Sequence, residues 1–461
     1  MNMILLYSKQ KTKRLEYIVN HIFNRMLGVQ VDICTYEVDF TNYRDCKICY
    51  SDTNQGGGLR IVPHPLLFEK GVLPQSVVFA NYNGFPICFQ TEQLDCFPFD
   101  ILAASFFFLS RYEEYLFDSK DIHQRFDATN SLAYKNNFLC LPLVDCWVRE
   151  LKHKLQKAYP QLVFSPRKFS FIPTYDVDLA FAYRQKSFFL QLAGYAKLLL
   201  KFDLKKIITR TKVLLKKEQD PFYTFDYLTD IHQRHQLHPY YFFIVAKRKS
   251  KYDRNPSWNN KPFQKLIQDL SFSSEIGLHT SYYSKENPHR IGEEKDYLQT
   301  ITHKPIVKNR FHFLRFTLPD GYRHLLANGI TKDYSMGYPE YIGFRAGTCT
   351  PFLFFDLLNN TTTPLLIYPL LCMENAFSGC HSADEIIQIL SPYIEKIKEY
   401  NGILTTLFHN HAFDDKEVGK KWKEVLEYII AGWNSNSNSN SNSNSNSNSN
   451  SRNTEHISIN K

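Results

Sequence analysis

The chain has 461 residues, which is enough for two or three domains. Its balance of 43% hydrophobic and 22% charged residues is that of a soluble globular protein. The net charge of +9 is mild for this length, and no signature of a nucleic-acid-binding module accompanies it, so we expect no nucleic-acid partner.

Residues 1–160 are predicted to form a smaller α/β domain. The segments MILLYS and SVVFANY have the pattern of short strands, and CLPLVDCWVRELKHKLQKAY predicts a helix. The segment DILAASFFFLSRYEEYLF predicts another helix, with apolar residues on one face and Arg111, Glu113 and Glu114 on the other. The chain begins with a short apolar run before its first charges, the reverse of a secretory signal, so we expect a cytoplasmic protein.

Residues 166–432 are predicted to form a second unit. Apolar runs alternate with helical patterns here, which indicates βα repeats and a largely parallel sheet or barrel. The predicted strands are FSFIPTYDVD, HPYYFFIVAK, EIGLHTS, PIVKNRFHFLRF, PLLIYPLLCMEN and GILTTLFHNH.

Residues 187–217 interrupt this series with a basic amphipathic helix or helix pair. Apolar residues recur at helical spacing, and eight Lys or Arg lie between positions 197 and 217. Two interpretations stay open: the apolar face packs on the domain, or it docks on an anionic membrane surface. The second would make the protein peripheral to the inner membrane.

The C-terminal region, residues 434–461, starts with nine Asn-Ser pairs. Such a tract cannot bury apolar surface, so we expect it to be disordered.

Several predicted strands end in residues that ionise or bind metals. These are Asp176 and Asp178, His279, Arg310 and His312, Glu374, and His409. Ligands bind at the carboxyl ends of parallel strands, so we expect these side chains to share one site. Carboxylate and imidazole groups can hold a divalent metal, which acidifies water, while a second carboxylate and a His transfer protons. The pattern therefore predicts metal-dependent hydrolysis.

Four of these segments, in order, resemble the motifs of the polysaccharide deacetylase (NodB-homology) superfamily: TYDVD at 174–178, EIGLHTS at 275–281, NRFHFLRF at 309–316 and LFHNH at 407–411. The match is closest to a bacterial subgroup in which such a domain follows an uncharacterised companion domain. The segments SFFFLSRYEEYL, RFDATNSLAY and LPLVDCW resemble that companion, and DYSMGY and GFRAGTCTPF also resemble stretches of the subgroup. The resemblance implies a distorted (β/α) barrel preceded by a smaller α/β domain.

The resemblance also implies roles for matching residues. Asp176 resembles the general base, and Asp178 resembles the metal-ligand Asp, one position away from the more usual adjacent pair. His279 resembles the first metal His. Arg310 resembles the Arg that orients the base, and His409 resembles the general acid.

One position departs from the family pattern. The second metal His, usually four residues after the first, is replaced by Tyr283. Two interpretations stay open: His312, on the neighbouring strand, supplies the third ligand, with His289 a weaker substitute, or the metal site is altered or lost. The expected cofactor is a divalent ion, zinc being the type that best suits mixed His and Asp ligands.

Further residues have two interpretations each. Glu374 stands where a family carboxylate would orient a catalytic group, or it is a surface acid, and His411 could share the role of His409. Arg345 is a site residue or a buried ion-pair partner, and Asp333 a site residue or a turn cap.

Two functions fit these observations. The first is a carbohydrate deacetylase that cleaves a C–N or ester bond to remove an acyl group, in most cases acetyl, from a sugar or polysaccharide intermediate. The second is a catalytically degenerate carbohydrate-binding or scaffold protein of the same fold. Asp176, Asp178 and His279 favour the first function, and Tyr283 favours the second.

Overall fold

The computed structural model describes residues 3–92, 96–117, 120–165, 167–247, 250–414 and 417–449. Its N-terminal domain contains a four-stranded parallel sheet in the order β2-β1-β3-β4. The strands are β1 (Met3–Ser8), β2 (Gln30–Cys34), β3 (Lys47–Tyr50) and β4 (Leu59–Ile61), with a separate hairpin of β5 (Ala80–Tyr82) and β6 (Phe85–Ile87). The helices are α1 (Lys13–Val19), which continues into a π-helix (Asn20–Leu27), α2 (Glu37–Asn42), α3 (Ile101–Leu109), α4 (Leu132–Lys135) and α5 (Leu143–Ala158).

Helix α3 corrects one expectation. It ends at Leu109, and its nine residues are all buried, as is typical of a helix that is apolar on every side. Arg111, Glu113 and Glu114 do not form a solvated face; beyond the helix end Arg111 and Glu113 are buried, and the side chain of Glu114 is only 4% exposed. Arg111 pairs with both acids at 2.7–2.8 Å, and these ion pairs offset the cost of removing the charges from water.

The second domain is a nine-stranded sheet in the order β12-β13-β11-β10-β9-β8-β7-β15-β14. All neighbours are parallel except β12 and β13. The strands are β7 (Ser170–Val177), β8 (Tyr240–Phe243), β9 (Glu275–Thr280), β10 (Lys308–Phe311), β11 (Lys332–Met336), β12 (Phe352–Asp356), β13 (Thr361–Pro369), β14 (Cys372–Met373) and β15 (Ile403–His409).

The sheet is curled. Tyr240 on β8 contacts Tyr334 on β11, and Arg310 on β10 donates to Thr174 on β7, although two strands lie between the members of each pair. Such contacts require a concave inner face. The sheet is therefore a half-barrel, which confirms the predicted fold of a distorted barrel after a smaller α/β domain.

Helices connect these strands. They are α6 (Phe188–Leu200), α7 (Leu204–Leu214), α8 (Phe225–Arg234), α9 (Lys261–Leu270), α10 (His289–Thr302), α11 (Asp320–Ala327), α12 (Ala383–Glu399) and α13 (Glu417–Ser449). Helix α9 shows the usual pattern, because it buries Phe263, Leu266, Ile267 and Leu270 on one face. In the part of the chain described, no helix has both the length and the apolar character needed to cross a membrane.

The last helix differs from the expectation for the Asn-Ser tract. The backbone stays helical as far as Ser449, whereas disorder was expected from position 434 onward. The helix continues from an amphipathic segment that buries Trp422, Val425 and Leu426. Asn and Ser are weak helix formers, so disorder of the tract stays a prediction, and residues 450–461 lie outside the described residues.

Candidate active site

The carboxyl ends of four strands meet at one pocket. Asp176 belongs to the end of β7, His279 to β9 and His409 to β15, while Asp178 and His312 directly follow β7 and β10. All five side chains line a cavity of about 360 Å³. The curl of the sheet thus brings together residues that are more than 200 positions apart. Arg310 lies next to this cavity, behind Asp176.

Three of these side chains form a cluster that could hold a metal ion. Ligand atoms of Asp178, His279 and His312 all lie within 4.8 Å of one another. The Nε2 atoms of both imidazoles lie 3.2 Å from oxygens of Asp178, one on each oxygen. Ligands about 2.0–2.2 Å from a tetrahedral zinc stand roughly 3.3–3.6 Å apart, so the cluster is close to the size of a zinc coordination sphere.

Hydrogen bonds fix which nitrogen of each imidazole faces the cluster. Nδ1 of His279 donates to the carbonyl of Arg310 at 2.8 Å, and Nδ1 of His312 donates to Asp253 at 3.0 Å. In the neutral rings, Nε2 therefore carries a lone pair directed at Asp178. Oδ1 of Asp178 is also buried without a hydrogen-bond partner among the described residues. Facing lone pairs repel one another, so these residues fit a cation placed between them.

The charges of the cluster are consistent with this view. Burial alone would raise the pKa of Asp178, but the neighbouring imidazole of His312, together with those of His279 and His409, holds it well below its usual range. Burial lowers the pKa of His312, and Asp178 and Asp253 more than offset this and raise it to about 9. The cluster therefore balances its charge with a cation, either a proton on the imidazole or a metal ion.

Asp176 is held beside the cluster by Arg310. The buried guanidinium donates from Nη1 to Oδ1 of Asp176 at 3.1 Å and to the hydroxyl of Thr174 at 2.7 Å. Its Nε donates to the carbonyl of Tyr334 at 3.0 Å. Oδ2 of Asp176 stays directed toward the cluster, 3.4 Å from Nε2 of His279. One carboxylate oxygen is thus anchored and the other faces the pocket.

His409 is oriented by Glu374. Its Nδ1 donates to Oε2 of Glu374 at 2.8 Å, and its backbone N–H donates to the other oxygen. Nε2 points toward Asp178, 3.5 Å from Oδ2. Burial would lower the pKa of His409, but Glu374 and Asp178 raise it well above its usual range. His411 also lines the pocket, and burial and the neighbouring His409 lower its pKa.

The other candidate residues lie elsewhere. Tyr283 lies in a short 3₁₀ turn, partly exposed, and is not part of the described pocket wall. His289 begins α10 and lines a different cavity. Asp333 is buried and accepts hydrogen bonds from Ser335. Arg345 makes a bidentate ion pair with Glu114 at 2.7–2.9 Å, so it joins the two domains.

Sequence reasoning missed three residues around the site. Asp253 lies in the loop after β8, where no apolar run marks it, and it accepts hydrogen bonds from His312, Ser250 and the backbone of Tyr282. His123 and Arg125 come from the N-terminal domain and line the pocket. The only available signal was the companion-domain segment RFDATNSLAY, which begins at Arg125.

Arg125 supports an unusual backbone next to the cluster. Phe313 and Leu314, directly after His312, have φ angles of 60° and 51°, values that residues other than glycine rarely adopt. Nη1 of Arg125 donates to the carbonyl of Phe313 at 2.9 Å, and Nη2 donates to Glu340 at 2.9 Å. The N-terminal domain therefore helps to shape one wall of the pocket.

Residues 4–160 match the family described as "Family of unknown function (DUF7033)". No curated protein matches the chain. Among solved structures, a candidate polysaccharide deacetylase of Mycobacterium smegmatis is 11% identical, with a TM-score of 0.38, covering 58% of this chain and 85% of that one. The PuuE allantoinase is 11% identical, with a TM-score of 0.37, and the match covers 58% of this chain and 88% of that one. The polysaccharide deacetylase Bc1974 of Bacillus cereus is 11% identical, with a TM-score of 0.27, and the match covers 57% of this chain and 86% of that one.

Proposed function

We propose that this chain is a metal-dependent hydrolase that removes an acyl group, such as acetyl, from a sugar or polysaccharide intermediate. One observation carries the proposal. The cluster of Asp178, His279 and His312, here called the metal centre, lies between two side chains suited to proton transfer, Asp176 and His409, and all five face one pocket. This arrangement supplies the groups that metal-assisted hydrolysis of an amide or ester uses.

The metal centre would be occupied by a divalent ion, for which zinc is the best match to two imidazoles and a carboxylate. When bound, the ion would supply Lewis acidity at the acyl carbonyl and make water easier to deprotonate. The protein's own contribution is orientation. The acceptors of the two Nδ1 protons, the Arg310 carbonyl and Asp253, hold both imidazoles with Nε2 toward the ion.

Asp176 is suited to act as the general base. Its free oxygen would accept a proton as the oxygen of water bonds to the acyl carbon. His409 would donate its Nε2 proton to the leaving nitrogen or oxygen as the bond from the acyl carbon breaks. Glu374 keeps that imidazole oriented and stabilises its charged form. Asp176 and His409 are thus held in position by different residues, Arg310 and Glu374.

The pocket wall is consistent with an acylated sugar. Leu314, Met373 and Leu407 pack together at one side and form an apolar surface of the kind that an acetyl methyl group would contact. Glu340 and Asn375 also line the pocket, and their side chains can hydrogen-bond to sugar hydroxyls. A volume of about 360 Å³ lies at the small end of ligand pockets, about 300–1,000 Å³.

The test is release of acetate from N-acetylated and O-acetylated oligosaccharides. Metal-stripped protein should be inactive, and added zinc should restore turnover. An exposed carboxylate on α8 offers a matched control, because Asp226→Asn should behave as wild type. If zinc-loaded protein binds acetylated sugar without releasing acetate, the alternative of a catalytically degenerate carbohydrate-binding protein, which the replacement at Tyr283 favours, would stand instead.

A further inference from the structure

Helices α6 and α7 and the turn between them, residues 187–217, form a hairpin that exposes apolar side chains. No residue of α6, all of which the structure describes, is buried. Phe188 is 76% exposed, Leu200 82% and Phe202 88%. Soluble proteins rarely leave a contiguous apolar patch in water unless it binds something. We call this segment the basic hairpin.

Most of the exposed apolar residues share a face on each helix. On α6, five of them recur at the helical spacing that places them along one side: Phe188, Phe189, Leu192, Leu199 and Leu200; Leu190, 56% exposed, lies outside this stripe. On α7, Leu204, Ile208 and Leu215 follow the same spacing and form a narrower stripe. Each helix therefore carries an exposed apolar stripe and not a scatter of single exposed side chains.

The interior of the basic hairpin contains a charged side chain beside the apolar Val213. Arg210 is buried between the helices, lies over the ring of Tyr195 at 4.8 Å, and donates to the carbonyl of Gln191 at 3.0 Å. A side chain at Gly194 would clash with this guanidinium, so the helices approach closely around it. The buried charge fixes the hairpin with its apolar faces outward. They do not pack on the barrel, as one interpretation of the sequence expected.

Positive charge borders the apolar surface. Lys205, Lys212 and Lys216 are exposed beside the stripe on α7. Asp203 is the one acid within 187–217, against eight Lys or Arg, and it pairs with Lys206 at 2.8 Å; Glu218, directly after the segment, pairs with Lys212 at 2.7 Å, which leaves the surface with an excess of positive charge. Apolar side chains flanked by lysines match the acyl and phosphate layers of an anionic bilayer. We infer that the basic hairpin docks this protein on an anionic lipid bilayer.

The basic hairpin is attached beside the pocket. It begins soon after Asp178, and Asp220 accepts hydrogen bonds from three successive backbone N–H groups at its base, those of residues 182–184. Asn410, next to His409, donates to the carbonyls of Leu179 and Phe222 on the two sides of the hairpin. Docking would therefore hold the pocket near the bilayer. If the proposed function holds, an acylated sugar carried on a lipid is the substrate this arrangement suits.

The test is co-sedimentation of the full chain with vesicles of phosphatidylcholine alone or of phosphatidylcholine with phosphatidylglycerol. We expect clearly more protein on the anionic vesicles, and a bound fraction that falls as salt is added. Equal sedimentation with both vesicle types at low salt would overturn the inference. The assay needs no catalysis, so loss of turnover and loss of docking are separate results.

Two sets of variants test the surface itself. Changing five lysines of the hairpin to Gln should lower the partition coefficient on anionic vesicles by at least about tenfold: Lys205, Lys206, Lys212, Lys216 and Lys217. A matched control changes five exposed lysines elsewhere and should bind as wild type: Lys70, Lys135, Lys157, Lys261 and Lys265.

The second set changes Phe189, Leu192 and Leu200 to Ser. These side chains are exposed, so the fold should be unaffected while vesicle binding falls by a similar factor. Wild-type binding by this variant would overturn the inference. So would a wild-type dimer in lipid-free solution that the Ser variant converts to a monomer, because the apolar face would then be an interface between two copies of the chain.

Discussion

The metal centre and the basic hairpin differ in which side chains they remove from water: the first buries polar side chains, and the second exposes apolar ones. The metal centre places the buried His279 and His312 and the partly buried Asp178 in one pocket, whereas the hairpin keeps Leu200 and Phe202 in water. Both arrangements reverse the ordinary rule that charges are exposed and large apolar groups are buried. In our proposals the two regions suit different partners: the imidazole and carboxylate groups of the metal centre suit a cation, and the exposed apolar side chains among lysines suit a lipid surface.

The largest expected effect separates chemistry from metal binding. Asp176→Asn should lower turnover by roughly 10²–10⁴-fold, because an amide cannot accept the proton from water. Zinc affinity should change little, since Asp176 is outside the proposed ligand set. Steady-state kinetics beside a zinc titration would check this. An equal loss of zinc binding in Asp176→Asn and Asp178→Asn would show that the roles of base and ligand are assigned wrongly.

The next prediction concerns the third ligand. His312→Ala should weaken zinc binding about as much as His279→Ala does, because both Nε2 atoms lie 3.2 Å from Asp178. Tyr283→His should leave binding unchanged or strengthen it. Competition with a fluorescent zinc chelator measures the zinc affinity of these variants. His238 is exposed, so His238→Ala is a suitable control. Wild-type affinity in His312→Ala would remove this residue from the metal centre.

A smaller effect on zinc binding is expected at Asp253, the carboxylate that accepts a hydrogen bond from His312 and orients it. Asp253→Asn should weaken zinc binding by about 10–100-fold, as for other groups that hydrogen-bond to a metal-binding imidazole. The variant should keep its fold, because the amide oxygen can replace Oδ1 and accept from the backbone of Tyr282, while the Ser250 hydroxyl, which bonds to the other carboxylate oxygen, can turn to accept from the amide NH₂. The same chelator competition applies. No change in zinc affinity would mean that His312 does not depend on Asp253 for its orientation.

The smallest expected effect is on the stability of the fold, and it concerns the exposed apolar side chains of the basic hairpin. Leu200→Ser should change the free energy of unfolding by no more than about 0.5 kcal/mol, since the side chain is 82% exposed. Val213→Ser on α7 should cost about 2 kcal/mol or more, because Val213 is fully buried. Denaturant titrations compare the two. Similar losses would indicate that Leu200 packs against the protein, and the contrast with the metal centre would fail.

The sequence predicted much of the site because its residues follow apolar strands. His279 lies near the end of EIGLHTS and His409 near the end of GILTTLFHNH, so their convergence followed from the parallel sheet. Strand β11 was missed because Asp333 and Ser335 are buried polar residues that satisfy each other, which hides the apolar pattern. Asp253 was missed because a loop residue gains its role only through long-range contacts.

The polar residues after α3 show a related limit. Arg111 and Glu114 look like a solvated face when only helical spacing is considered. Their burial depends on Arg345, more than two hundred positions away, which completes the ion-pair group. Periodicity carries no information about such distant partners. The outward direction of the hairpin's apolar residues was hidden in the same way, because it depends on Arg210 being enclosed between the helices.

The central claim is that Asp178, His279 and His312 together hold a divalent ion, and calorimetric titration of metal-stripped protein with zinc tests it most directly. We predict a stoichiometry of about one zinc ion per chain for wild type, with proton release on binding, and no binding at the same site in His279→Ala. Absence of binding to wild type with zinc, cobalt, nickel and manganese, or unchanged binding in His279→Ala, would contradict the claim.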